Sequence, residues 1–177
     1  MSHLSFAGPL VTYTTSGSSG NWLLDFSITN TLGVNNLDIY LFAIVNPDSG
    51  TAITSPTANW TYYNDIQFNP ALYGGPDIQF NDAWQNILYI PDMIQNGDTL
   101  TGFNVIFNTA SIPTNVQYVA FAADWTSGGA TYPGNDYFHT DLNPGFAGNA
   151  SVPEPATMML LGLGLMGLAG VRRKIKR

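Results

Sequence analysis

From Pro9 onward, short runs of apolar and β-branched residues are separated by clusters of turn formers, and no helical period is sustained before residue 156. Leu10-Val-Thr-Tyr-Thr-Thr reads as a strand that Ser16-Gly-Ser-Ser-Gly-Asn breaks. Trp22-Leu-Leu-Asp-Phe-Ser-Ile-Thr places Leu24, Phe26 and Ile28 on one face, with Asp25, Ser27 and Thr29 on the other. That alternation is what a half-buried antiparallel strand requires. Asp38 to Val45 is more continuously apolar and predicts a central strand, closed by Asn46-Pro-Asp-Ser-Gly. Further strands are predicted over Trp60 to Phe68, Ile87 to Ile90, Leu100 to Phe107 and Val116 to Trp125, with a weak last one through Tyr137-Phe-His. Pro70 to Trp84 reads as a long loop, or as a short helical turn capped by Asp82.

Short strands at this spacing predict an all-β domain, an antiparallel β-sandwich of jelly-roll or immunoglobulin-like type. The expected organisation is a β-sandwich over residues 1–144, a flexible linker over 145–152 and a separate C-terminal unit over 153–177. Gly145 to Val152 reads as linker because it is rich in Gly and Ala. Met1-Ser-His-Leu-Ser-Phe has neither a basic n-region nor a long apolar core, so no secretory leader is read there; the expectation is a removed leader or a late start.

The C-terminal unit has a different pattern. Ala156 to Val171 is uncharged and rich in Leu, Met and Gly, followed by the basic residues Arg172, Arg173, Lys174, Lys176 and Arg177. As a helix, these 16 residues would span about 24 Å, slightly short of a bilayer core of about 30 Å. Flanking Lys and Arg can snorkel to close that difference. The positive-inside rule puts the basic cluster in the cytoplasm and the β domain outside.

Charge sharpens this division. The five basic residues all lie in the last six positions. Of the twelve acidic residues one is Glu154, so residues 1–152 carry eleven Asp and no Lys, Arg or Glu. A domain without a basic side chain cannot neutralise phosphates, which excludes nucleic acid as a partner. The chain has no cysteine, so disulfides, thiolate metal sites and cysteine nucleophiles are absent too.

Val152-Pro-Glu-Pro-Ala-Thr, the short Leu/Gly-rich span and the Arg-rich end resemble, in that order, the PEP-CTERM sorting signal of Gram-negative bacteria. The resemblance implies export, transient insertion in the inner membrane, processing by exosortase near Pro153 to Pro155, and release to the cell surface or extracellular matrix. Val152, Pro153, Glu154 and Pro155 are then the sorting motif, with the two prolines keeping it extended. Gly20-Asn-Trp-Leu-Leu-Asp-Phe and Ile94-Gln-Asn-Gly-Asp-Thr-Leu-Thr-Gly-Phe also look like stretches of other proteins in this group.

Chemistry in the ectodomain is sparse. His3 and His139 are the only histidines. A Ser-His-Asp arrangement about His139 lacks a nucleophile-elbow motif, and no catalytic residue is assigned. Asp48, Asp77, Asp98 and Asp136 sit in turn contexts, which their own side chain-to-backbone hydrogen bonds explain. No cofactor is assigned; calcium on Asp-rich loops is the one metal considered, without EF-hand or nonapeptide spacing to support it. Trp60, Tyr62 and Tyr63 are the candidate sugar-stacking residues, weighed against the commoner role of strand aromatics in the core. The expected function is that of a non-catalytic surface or matrix protein. Its expected partners are exosortase, the inner membrane, exopolysaccharide and copies of itself joined by strand addition. A carbohydrate-binding module and a secreted hydrolase are the alternatives.

Overall fold

The computed structural model describes residues 8–33, 37–47, 52–64, 69, 71, 77–86, 89–124 and 145–152. The strands are β1 (Leu10–Ser18), β2 (Asn21–Thr29), β3 (Leu37–Ile44), β4 (Ala52–Thr54), β5 (Thr61–Tyr63), β6 (Asp82–Gln85), β7 (Thr99–Phe107), β8 (Asn115–Asp124) and β9 (Phe146–Ser151), with a 3-10 turn at Ile90–Asp92. The all-β expectation holds for these residues. All nine strands belong to one sheet, in the order β4-β7-β2-β1-β9-β8-β3-β6-β5. Every pairing is antiparallel except that of β1 with β9, where Thr12 lies opposite Ser151 in parallel.

The sheet is folded over on itself. In the strand order, β2 and β3 are four strands apart and β7 and β6 six apart. At about 4.8 Å per strand, flat spacing would separate these pairs by about 19 and 29 Å. Yet the rings of Phe26 (β2) and Phe42 (β3) have centroids 5.5 Å apart, and those of Phe103 (β7) and Trp84 (β6) are 5.8 Å apart. Trp84 Nε1 also donates to the Thr54 carbonyl of edge strand β4 at 3.1 Å. Two layers therefore face one another across an aromatic core of Tyr13, Phe26, Phe42, Trp60, Trp84, Phe103 and Tyr118.

Local sequence explains the layers. In β2, Leu24, Phe26 and Ile28 are buried, while Asp25, Ser27 and Thr29 are half-buried. β3 is buried at every position. Ile39, Phe42 and Ile44 enter the main core, and Tyr40, Leu41 and Ala43 join a second cluster with Phe80, Met93 and Phe121. The change of face falls at a bulge in the β3–β8 register, between Ile39 and Leu41. A second bulge lies between β2 and β7: Phe26 pairs with Phe103 and Ser27 with Thr101, leaving Gly102 as the extra residue. Gly102 has φ 97°, a left-handed conformation that glycine adopts without steric cost. Its N–H donates to Asp25 Oδ1 at 3.0 Å.

Asn30 ties the end of β2 to the start of β3. Its buried side-chain nitrogen donates to the carbonyls of Leu37 (2.7 Å) and Ile94 (2.8 Å), and its Oδ1 accepts from Leu32 N. Its backbone N–H and C=O bond Asp98 and Gly97. A fully buried amide is tolerated here because its polar atoms are paired.

Several expectations need correction. Residues 146–151 are not a flexible linker: they form β9, paired with β8 from Phe146↔Ala120 to Ser151↔Asn115. The folded domain therefore runs past residue 144. The small residues that suggested a linker are required by packing. A Cβ at Gly148 would lie 2.8–3.0 Å from the Tyr118 ring and hydroxyl, and Ala150 is fully buried. Asp82 caps no helical turn; it opens strand β6. The strand expected from Trp60 contracts to β5, with residues 65–68 outside the described set. Ile90, expected to end a strand, begins the 3-10 turn with Pro91 behind it. Tyr137, His139 and residues 153–177 also lie outside the described residues. Among the described residues no helix is long and apolar enough to cross a membrane.

Candidate functional site

The sorting signal begins within the sheet. Ser151, the last residue of β9, faces Asn115 of β8 on one side and Thr12 of β1 on the other. Val152 follows, 38% exposed. Pro153, Glu154 and Pro155, and the basic residues Arg172 to Arg177, lie outside the described residues. What the structure positions is thus the attachment of the signal: a strand bonded on both edges, one residue before the first proline.

The three candidate stacking residues do not form a common exposed surface. Trp60 is 2% exposed. Its ring meets Phe103 edge-on at 5.0 Å, and its Nε1 donates to the Asp92 carbonyl at 2.8 Å. Its faces are committed to the core, as a strand-flanking aromatic with a satisfied polar handle. Tyr62 is half-buried against Trp84, with ring centroids 5.4 Å apart. Tyr63 is half-buried and opposite Ala83.

Tyr62 instead leads to a polar group that the sequence pattern did not disclose. Its hydroxyl donates to Asp82 Oδ1 at 2.5 Å, and Asn46 Nδ2 donates to Asp82 Oδ2 at 2.6 Å. Asp82 is fully buried. Asn81 and Asn46 exchange two further bonds, Asn46 N to Asn81 Oδ1 at 2.8 Å and Asn81 Nδ2 to the Asn46 carbonyl at 2.6 Å. This network closes the core beyond Ile44, at the opposite end of β3 from Asn30. Both carboxylate oxygens are met by neutral donors, so the buried acid is accommodated without a basic residue.

Of the turn-region acids, Asp48 and Asp136 lie outside the described residues. Asp77 and Asp98 are exposed. Asp92 Oδ2 accepts from Thr57 Oγ1 (3.0 Å) and Asn59 Nδ2 (2.7 Å), pinning the loop before β5. Among the described residues, no three acids or histidines gather as metal ligands would. A shallow cleft of about 450 Å³ lies between the ends of β3, β7, β8 and β9, where Thr109, Asn115, Gln117 and Asn149 surround an apolar floor of Phe107 and Val116. Two buried phenols are pushed above the ordinary tyrosine range by loss of hydration. They are Tyr13, which donates to the Pro113 carbonyl, and Tyr118, which donates to that of Pro9.

The architecture and its tail define an all-β domain with a C-terminal processing signal. Residues 151–174 match the PEP-CTERM protein-sorting motif, and the chain carries that signal. The motif implies export and exosortase as the processing partner. No curated protein matches the chain. A solved structure, the crystal structure of an uncharacterized protein from Nocardia farcinica reported to reveal an immunoglobulin-like fold, is similar at 15% identity and a TM-score of 0.47. The likeness covers 80% of this chain and 96% of that one.

Proposed function

We propose that this is a non-catalytic β-sandwich protein of the cell surface or extracellular matrix, delivered there by exosortase processing of its tail. The match of residues 151–174 to the sorting motif carries the reading. In it, residues 156–171 form a helix held briefly in the inner membrane, Arg172 to Arg177 stay in the cytoplasm, and the acidic sandwich is outside. A structural or adhesive role in a biofilm or exopolysaccharide setting suits an acidic surface rich in Asn, Thr and Ser, with Trp60, Trp84 and most large aromatics spent on the core. Fractionation of the native host with and without its exosortase is the test. The expected result is a shortened surface or extracellular form in the first strain and a full-length membrane form in the second. Full-length cytosolic protein in both would overturn the reading.

A second reading, recognition of a neutral saccharide, draws on the uncharged cleft beside Asn115, Gln117 and Asn149. Carboxamides with both donor and acceptor atoms suit sugar hydroxyls. Calorimetric titration with the host's exopolysaccharide tests it; binding that survives Gln117→Ala combined with Asn149→Ala would exclude this cleft.

A further inference from the structure

The sorting motif and the fold share residues. Ser151 is the first residue of the matched motif and the last of β9. Val152 alone separates it from Pro153. At about 3.4 Å per residue, Pro153 lies no more than about 7 Å from the last paired position, whereas a domain of this size has a radius of gyration on the order of 15 Å.

An enzyme that cuts a peptide holds the residues before the cut as an extended segment, bonding one of its backbone edges. Ser151 has no free edge to offer, because β8 and β1 occupy both sides. Ala150 behind it is buried, and Gly148 lies beneath Tyr118.

We propose that docking of β9 and processing of the tail compete: the folded sheet withholds the segment, and exosortase cuts the chain while β9 is undocked. The strand is built to come away. Ala150 is its one fully buried side chain, with Phe146 half-buried, and its pairing with β1 is limited to Thr12↔Ser151. β9 is also the last described strand in the chain, so an exported polypeptide can form the other eight before it. Exosortase then acts on a nearly complete fold, and docking of β9 ends the period in which the tail is exchangeable. This rests on the exosortase reading above.

The experiment is a pulse–chase of the full chain in hosts with and without the enzyme. It compares the natural sequence, an insertion of about eight Gly/Ser residues between Val152 and Pro153, and Gly148→Val. With the spacer, processing should run about threefold faster or more, because access no longer waits on local opening. Gly148→Val, which drives a side chain into Tyr118, should accelerate it in the natural-length chain. Equal or slower enzyme-dependent processing of the spacer chain overturns the proposal, whatever Gly148→Val does to folding. Cleavage unaffected by loss of the enzyme, or absent in both hosts, instead overturns the exosortase reading and the proposal with it.

Discussion

Asp25 accepts the backbone N–H of Gly102 at 3.0 Å, pinning the bulge of β7 to its neighbour β2. Gly20 to Phe26 supplies the carboxylate from β2, and Ile94 to Phe103 supplies the bulge from β7. Asp25→Ala should cost about 1–3 kcal/mol by leaving a half-buried amide without its acceptor. Asp25→Asn keeps an acceptor oxygen and should recover most of that loss. Gly102→Ala should cost a similar amount, since its φ of 97° is strained for alanine and the added Cβ would lie 3.3 Å from Pro56 Cα. Urea denaturation of the three variants checks the set.

Trp60 discriminates core from ligand surface. Removing its ring by Trp60→Ala should destabilise the domain by about 3–5 kcal/mol, the range for a large buried aromatic. A stacking residue on the surface would change stability little and saccharide binding strongly. Thermal melting, read beside any binding assay, separates the two outcomes.

Asn30 should distinguish an amide from an acid. Asn30→Asp removes the donor to Leu37 and Ile94 and turns a buried carboxylate toward their carbonyls. A deficit of about 3 kcal/mol or more is expected at neutral pH. The folded state of this variant favours the protonated acid, so its pKa is raised. The deficit should therefore shrink as pH falls through that raised pKa, and be smallest below the ordinary Asp value of about 3.9. Stability of Asn30→Asp and Asn30→Ala measured across acid pH gives the comparison.

Alkaline stability should follow the buried phenols. Tyr13 and Tyr118 have pKa values raised by burial, so in the unfolded chain they lose protons first. Stability is thus unaffected below the ordinary tyrosine value of about 10 and falls as pH rises through it. Residues 1–152 hold neither Lys nor Cys, which leaves tyrosine as the side chain ionising there. Tyr118→Phe should lower stability at neutral pH, through its lost bond to Pro9, and flatten the alkaline decline. Unfolding followed from pH 8 to 11 shows whether it does.

The long strands were legible because their burial follows the pleat: β2 and β7 alternate, and β3 is buried throughout and apolar but for Asp38 and the Tyr40 hydroxyl. β6 was not, since Asp82 and Gln85 are polar residues buried in a strand whose acid is satisfied by Tyr62 and Asn46, from far along the chain. β9 was hidden for the opposite reason. Its side chains are small because Tyr118 already fills the space above Gly148. Composition records what a residue contributes to packing, whereas these two strands depend on what their neighbours contribute. The sorting motif was readable as contiguous sequence; its attachment to a paired strand was a matter of fold.

β9 stands fifth among the nine strands, so the tail is fastened at the middle of the sheet and not at a rim. A chain pulled by an edge strand can unzip one ladder at a time. A pull on this tail must break the six-residue ladder to β8 and the Thr12↔Ser151 bridge to β1 together. Once they part the other described strands carry no load, so β9 is the link that yields first between the domain and whatever handles its tail.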